Sequence, residues 1–500
     1  MIRLARQQSP AAENPRSLIM VRIVAIPLAF ICILTNTSPL GAQPQRFELG
    51  RRLRVFESAW EKTPGDEVRK RTVAPLNQAV TAFFTFRFGE AGRSIDKARF
   101  ALDDTVKPTA ARLWAESLAI FPAVRLVDVE TQEITLEVNA FYEVPRPADV
   151  EFTLRLSLTV KGKETSAQSL PIKTLPTKQQ MSVKNTAEGD HWLQYEIWQD
   201  ESKLAQGSQQ ISFVSKLADR VAALKKIDRT AGEVATERAT LLATLGLVDK
   251  LAAGGSEETD LPIARLLRET ETMGESIKTG QPYFQKERSG EHWLSLAFQK
   301  NAAERVFPMR VLVPAKWDDK TPPPLVVALH GAGGSENMFF DGYGAGKIVS
   351  LCRERGWMLV SPRVGFNLSG SMADVLDELH KRWPFDSRCV FIVGHSMGAA
   401  QAVQAASIEP RRYAGVVALG GSGTYKATDD LRKLPFFIGV GKQDFALSGA
   451  RGLRDRLVKD KVEKVTFREL ENVEHLGIVQ QSLAEAFDFC EKIVEKRRNK

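Results

Sequence analysis

Ser396 stands in the string Val390-Phe391-Ile392-Val393-Gly394-His395-Ser396-Met397-Gly398, followed by Ala399, Ala400, Gln401 and Ala402. An apolar run, a Gly-x-Ser-x-Gly turn and a small-residue helix start, in that order, form the pattern of a serine held on a tight strand-to-helix turn. Such a turn strains the serine backbone, and glycines two before and two after it permit the close approach the turn needs. The hydroxyl is then lifted to the C-terminal edge of a sheet, over a helix N-terminus, where it can attack a carbonyl carbon.

A serine hydroxyl is a weak nucleophile until a base takes its proton. The chain offers six histidines. His191 falls in alternating sequence, His292 precedes the first buried runs, His380 lies in helix-like sequence, and His330 and His395 belong to glycine-rich turns. His475 alone follows the last apolar run, in Asn472-Val473-Glu474-His475-Leu476-Gly477, where the base belongs when chain order is Ser, acid, His. The acid should leave a strand between the two, to hold the imidazole tautomer and stabilise the imidazolium. Asp444 fits, because Phe436–Val440 reads as a strand and Gly441-Lys442-Gln443-Asp444 as its exit; Asp429, Asp430 and Asp386 are the alternatives. Upstream, the run ending at Leu329 enters His330-Gly331-Ala332-Gly333-Gly334. The amides of Met397 and of Ala332, or else Gly333, are expected to hold the oxyanion, each such donor being worth roughly 2.7–4 kcal/mol of barrier.

These residues need a scaffold that brings distant loops to one edge. From about residue 290, short apolar runs alternate with amphipathic segments: Leu325–Leu329, Trp357–Ser361, Val390–Val393, Val416–Leu419, Phe436–Val440 and Val465–Leu470 read as strands, and Met338–Arg355, Ser371–Trp383 and Gly398–Ile408 as helices. That alternation predicts an α/β domain with a mostly parallel sheet covered by helices on both faces.

The first half follows other patterns. Residues 43–122 read as helical, with Val55, Phe56, Trp60, Leu76, Val80, Phe83 and Phe84 at helical spacing and a further helix over Thr109–Phe121. Strict alternation in Ile134–Tyr142 and Phe152–Val160 predicts a small antiparallel β-sandwich over 123–215. Its Trp192 and Trp198 could line a sugar-binding face, but core packing is the expectation. A helical linker region over 216–280 follows, and the α/β part occupies 281–500.

The ordered set LHGAGG, VFIVGHSMG, IGVGKQD and NVEHLG, over about 290–495, resembles the α/β-hydrolase superfamily, in the branch of polyhydroxybutyrate depolymerase-like, feruloyl esterase-like and phospholipase/carboxylesterase family proteins. The resemblance implies an α/β-hydrolase fold, a triad at Ser396, Asp444 and His475, and cofactor-free acyl transfer through an acyl-enzyme. Only sixteen residues separate Leu419 from Phe436, too few for the large cap many relatives insert there. The site is therefore expected to be open from above, suiting bulky or polymeric esters.

The charge of +8 and pI near 9.2 would suggest nucleic acid if the basic residues formed a stripe. They are interspersed with acids except at Lys496, Arg497, Arg498 and Lys500, so no nucleic-acid partner is expected. Ile23–Leu34, after Arg22 and before Gly41 and Ala42, reads as the apolar stretch of a signal peptide over 1–42, with Met20 as a possible start and cleavage after Ala42. At twelve residues it falls short of the about 20 that span a bilayer. The expectation is an exported protein with no stable membrane insertion once the signal is removed. Cys352, Cys389 and Cys490 remain beyond that segment without disulfide or metal spacing, and no metal or cofactor is predicted. The leading function is hydrolysis of carboxylic esters. A prolyl-oligopeptidase-like peptidase is one alternative, and a polysaccharide- or envelope-binding protein with a secondary hydrolase domain is the other.

Overall fold

The computed structural model describes residues 43–63, 65–103, 107–227, 234–301, 303–317, 320–365 and 372–499. The signal peptide read over 1–42 lies outside them. Helices α1 (Gln43–Lys62), α2 (Asp66–Phe84) and α3 (Phe88–Ala101) bury Phe56, Trp60, Leu76 and Ile95 in a shared core, as their spacing along each helix requires. Helix α4 (Ala110–Glu116) starts where Thr109 accepts a hydrogen bond from the Arg112 amide.

The helix predicted over Thr109–Phe121 stops at Glu116, and Leu118–Pro122 forms strand β1. Next come β2 (Leu126–Asp128) and β3 (Glu133–Ala140). β1 pairs antiparallel with β3, and Leu118 and Ile120 join the core beneath it. Tertiary pairing outweighs helix propensity here. Strands β4 (Phe152–Val160), β5 (Lys163–Ile172), β6 (Thr177–Ser182), β7 (Gly189–Gln199) and β8 (Ser202–Val214) complete two sheets, β1-β3-β6 and β2-β8-β7-β4-β5. Leu136 and Val138 of one sheet meet Leu154, Leu156 and Tyr195 of the other. Trp192 and Trp198, expected in this core, lie on the opposite face of β7 from Leu193, Tyr195 and Ile197; Trp192 is 38% exposed and Trp198 lies under the Arg155 guanidinium, 3.8 Å from the ring centre.

Helices α5 (Leu217–Lys225), α6 (Ala235–Ala252) and α7 (Ile263–Thr279) lead to the hairpin of β9 (Gly290–Lys300) and β10 (Ala303–Val313). β9 is an edge strand, and α6 covers it: Thr240 Oγ1 accepts from the Ser295 amide at 2.9 Å, and Thr236 Oγ1 from the Ala297 amide at 3.1 Å. The rest of the chain alternates β11 (Leu325–Leu329), α8 (Lys347–Arg355), β12 (Met358–Pro362), α9 (Met372–Arg382), β13 (Val390–His395), α10 (Met397–Ile408), β14 (Gly415–Leu419), α11 (Asp429–Arg432), β15 (Phe436–Gly441), α12 (Leu447–Lys459), β16 (Val465–Leu470) and α13 (Gly477–Arg498).

The eight strands run β9-β10-β12-β11-β13-β14-β15-β16, parallel from β12 through β16, with β10 antiparallel to both neighbours. Residues 338–345, predicted as helix, instead form tight π- and 3₁₀-type turns ahead of α8. Gly344 and Gly346, at φ 58° and 80°, interrupt the helix there.

Five apolar clusters hold the described residues together, and charged ties join them. Arg52 of α1 pairs with Glu48 at 3.0 Å and with Asp96 of α3, and donates to the Leu118 carbonyl of β1 at 3.0 Å. Tyr142 donates to Asp96 at 2.7 Å. The four stretches separated in the sequence therefore pack as one compact unit.

Candidate active site

β13 delivers Ser396 to the C-terminal edge of the sheet with φ 56° and ψ −115°, conformational strain that a non-glycine residue holds only when its surroundings impose it. The constraint is visible on both sides: a Cβ at residue 394 would lie 2.1 Å from the Gly398 carbonyl oxygen, and one at residue 398 would lie 2.0 Å from that of Leu329. Both glycines are sterically required. Met397 is the first residue of α10, so its amide is one of those that no helix carbonyl can reach.

His475 lies in the turn between β16 and α13, and Asp444 in the turn after β15. Both are buried, and His475 Nδ1 donates to Asp444 Oδ1 at 2.9 Å. That bond leaves Nε2 as the free basic nitrogen. Asp444 Oδ1 also accepts from the Ala446 amide at 2.8 Å, which fixes the carboxylate. Asp386 pairs with Arg388 at 3.1 Å, Asp429 with Arg432 at 2.6 Å and Asp430 with Arg411 at 2.8 Å, so the alternatives are engaged elsewhere. Ser396, His475, Ala332 and Gly333 line one cavity. Among the described residues no hydrogen bond joins the Ser396 hydroxyl to the imidazole; such contacts often tighten only around substrate.

Three residues that the sequence did not single out hold this arrangement. The Gly331 amide donates to the Tyr343 hydroxyl at 3.1 Å, the hydroxyl lies 3.0 Å from His395 Nδ1, and His395 Nε2 lies 2.9 Å from the His475 carbonyl oxygen. A carbonyl only accepts, so Nε2 carries the proton and Tyr343 donates to Nδ1. Burial, reinforced by the neighbouring His475, pushes His395 well below the ordinary imidazole range, which keeps that neutral form. The Gly331–Gly334 loop and the loop that carries His475 are thus tied through two side chains. Glu474, the third, accepts from the amides of Leu476 and Gly477, each at 2.7 Å, and burial pushes its carboxyl up to about 7. His395 was visible in the Gly-x-Ser-x-Gly string; Tyr343 carried no signal because its partners are far away in sequence.

The N-terminal helices reach every one of these loops. Arg46 donates to the Gly333 carbonyl, and a Cβ at residue 333 would meet the Phe83 ring at 3.0 Å. Asn77 donates to the Gln443 carbonyl beside Asp444 at 3.1 Å. Leu476 packs into the core of α1–α3, and Gln480 donates to the Glu57 carbonyl at 3.1 Å and to Glu61 at 2.6 Å. The expectation of a site open from above is therefore corrected. No cap enters between β14 and β15, but Leu49, Leu53, Val80, Phe83 and Ile95 roof the cavity from the other end of the chain.

Strand order, the single antiparallel strand and the nucleophile-type turn define the α/β-hydrolase fold. No family model matches the chain, and no curated protein matches it. Among solved structures, the chain is similar to S-formylglutathione hydrolase from Staphylococcus aureus, with 17% identity over 40% of this chain and 99% of that one, at a TM-score of 0.34. It is similar to a feruloyl esterase module from Clostridium thermocellum complexed with sinapinate, with 14% identity over 41% and 89%, at 0.34. It is also similar to a thermostable esterase, with 12% identity over 75% and 99%, at 0.36. Among the described residues no helix is long and apolar enough to cross a membrane.

Proposed function

We propose that the chain is an exported serine hydrolase that cleaves carboxylic esters through an acyl-enzyme. The observation that carries this reading is that Ser396, on its strained turn at φ 56°, lines one cavity with His475, whose Nδ1 is hydrogen-bonded to the buried Asp444 at 2.9 Å. Ser396 Oγ attacks the ester carbonyl carbon while its proton passes to His475 Nε2, and the Met397 and Ala332 amides donate to the oxygen that gains charge. The bond to the alcohol oxygen breaks as Nε2 returns the proton to it. Water then attacks the acyl carbon, losing its proton to Nε2; the acid departs and the serine hydroxyl is restored. Asp444 keeps Nδ1 protonated throughout. Export rests on the basic and apolar segment at 22–34.

Hydrolysis of short-chain aryl esters, compared with aminoacyl amides, tests the reading. The purified chain should cleave the esters, and Ser396→Ala should lose at least about 10³-fold in rate with its melting temperature kept. Full activity in that variant sinks the assignment, and faster cleavage of amides would make the protein a peptidase.

A further inference from the structure

The inference rests on the ester-hydrolase reading and concerns which half of the ester the roofed cavity receives. Its volume is about 140 Å³, close to the about 150 Å³ of apolar cavities that hold one benzene molecule. Its roof is mostly apolar: Leu49, Leu53, Val80, Phe83, Phe84 and Ile95 all come from α1–α3, and α1 adds Arg46 and Arg54. Phe445 lies outside that lining: it is 64% exposed and packs against the His475 imidazole with ring centres 4.1 Å apart, so this flank of the imidazole borders solvent. A leaving alcohol takes its proton from that imidazole and must reach solvent before water can enter, so it departs on the Phe445 side. The acyl group stays bonded to Ser396 through the intermediate and occupies the enclosed side.

We propose that helices α1–α3 form the acyl-binding pocket, so that the substrates are esters of a single-ring or short apolar acid, with an acyl group of about six carbons. A polymer interior cannot thread such a pocket. The N-terminal helices thereby set specificity.

Two series of nitrophenyl and alkyl esters test this with the full mature chain: one varying the acyl length at fixed alcohol, the other the alcohol at fixed acyl group. For the parent protein, kcat/KM should peak near six acyl carbons and fall steeply beyond about eight. Leu53→Phe, which fills the pocket, should raise the acetate-to-hexanoate ratio by about 10-fold; Phe83→Ala, which enlarges it, should raise the decanoate-to-hexanoate ratio by a similar factor. The alcohol series should keep its profile in both. A parent preference for long-chain or polymeric acyl groups overturns the inference, as does a shift confined to the alcohol series. Alkylphosphonate nitrophenyl esters give a second measurement, since Ser396 Oγ displaces nitrophenolate from phosphorus in one step and mass spectrometry reads the adduct. Labelling rates should follow the same chain-length order in the parent and both variants. Normal labelling and ester turnover, lost in Ser396→Ala but indifferent to acyl length, would defeat the pocket assignment and leave the esterase reading standing. Neither turnover nor labelling in the parent would defeat both.

Discussion

At the scale of single residues, the site is held by hydrogen bonds whose partners have nowhere else to turn. Tyr343 is buried and serves both the Gly331 amide and His395. Tyr343→Phe keeps the shape but strands a buried donor and a buried acceptor, at a cost of about 1–3 kcal/mol each. On the ester-hydrolase reading, the expected result is a lower melting temperature and a fall in kcat larger than any change in KM, because the displaced loops would carry an oxyanion donor and the base; unchanged kcat would show that the relay is idle. Glu57 makes a different prediction. It is buried on α1, accepts from the Ala345 amide at 3.3 Å, and burial pushes it from 4.5 up to about 8, with the nearby Glu474 adding to the shift and Arg54 opposing it. The folded protein therefore keeps a proton that the unfolded chain releases above 4.5, so this group's stabilisation is complete below that pH and is lost as pH rises through about 8. Glu57→Gln should leave the melting temperature little changed near pH 4 and raise stability by about 2 kcal/mol at pH 9. Thermal melts across that range check the sign.

At the scale of elements, the decisive pieces are helices outside the α/β part. If residues 43–280 served only to attach the protein to polysaccharide or envelope, their deletion would leave an active esterase stripped of that affinity. The contacts of Arg46, Phe83 and Asn77 with the Gly333 and Gln443 loops, and of α1 with Leu476, point the other way. A chain beginning near residue 281 should be inactive or insoluble, since removal exposes Leu476 and the floor of the cavity to water. Retention of full esterase activity by that fragment would show that the helices position nothing. Local sequence predicted these helices well from their apolar spacing. It failed at Leu118–Phe121, the last turn of the helix expected over Thr109–Phe121, which pairs with β3, because pairing partners are not adjacent in sequence.

At the scale of the whole molecule, one cavity collects residues from α1, α2, α3, the Gly331–Gly334 loop, Ser396 and His475. That gathering explains how a short β14–β15 connection coexists with a covered site. The sandwich is tied to α1 through Arg52, and none of its residues lines the cavity.

The sequence by itself determined the buried parallel strands, the turn that must carry Ser396, and the order in which Asp444 and His475 follow it. Each of these is written in local chemistry: unbroken apolar runs, glycines where a Cβ cannot fit, and loop residues just past strand ends. Only the tertiary structure decided that the N-terminal helices roof the site, that Tyr343 and His395 join its two loops, and that a cavity of about 140 Å³ adjoins Ser396. Those features depend on contacts between residues hundreds of positions apart, such as Arg46 with Gly333, and a pattern read along the chain carries no record of what will meet across it.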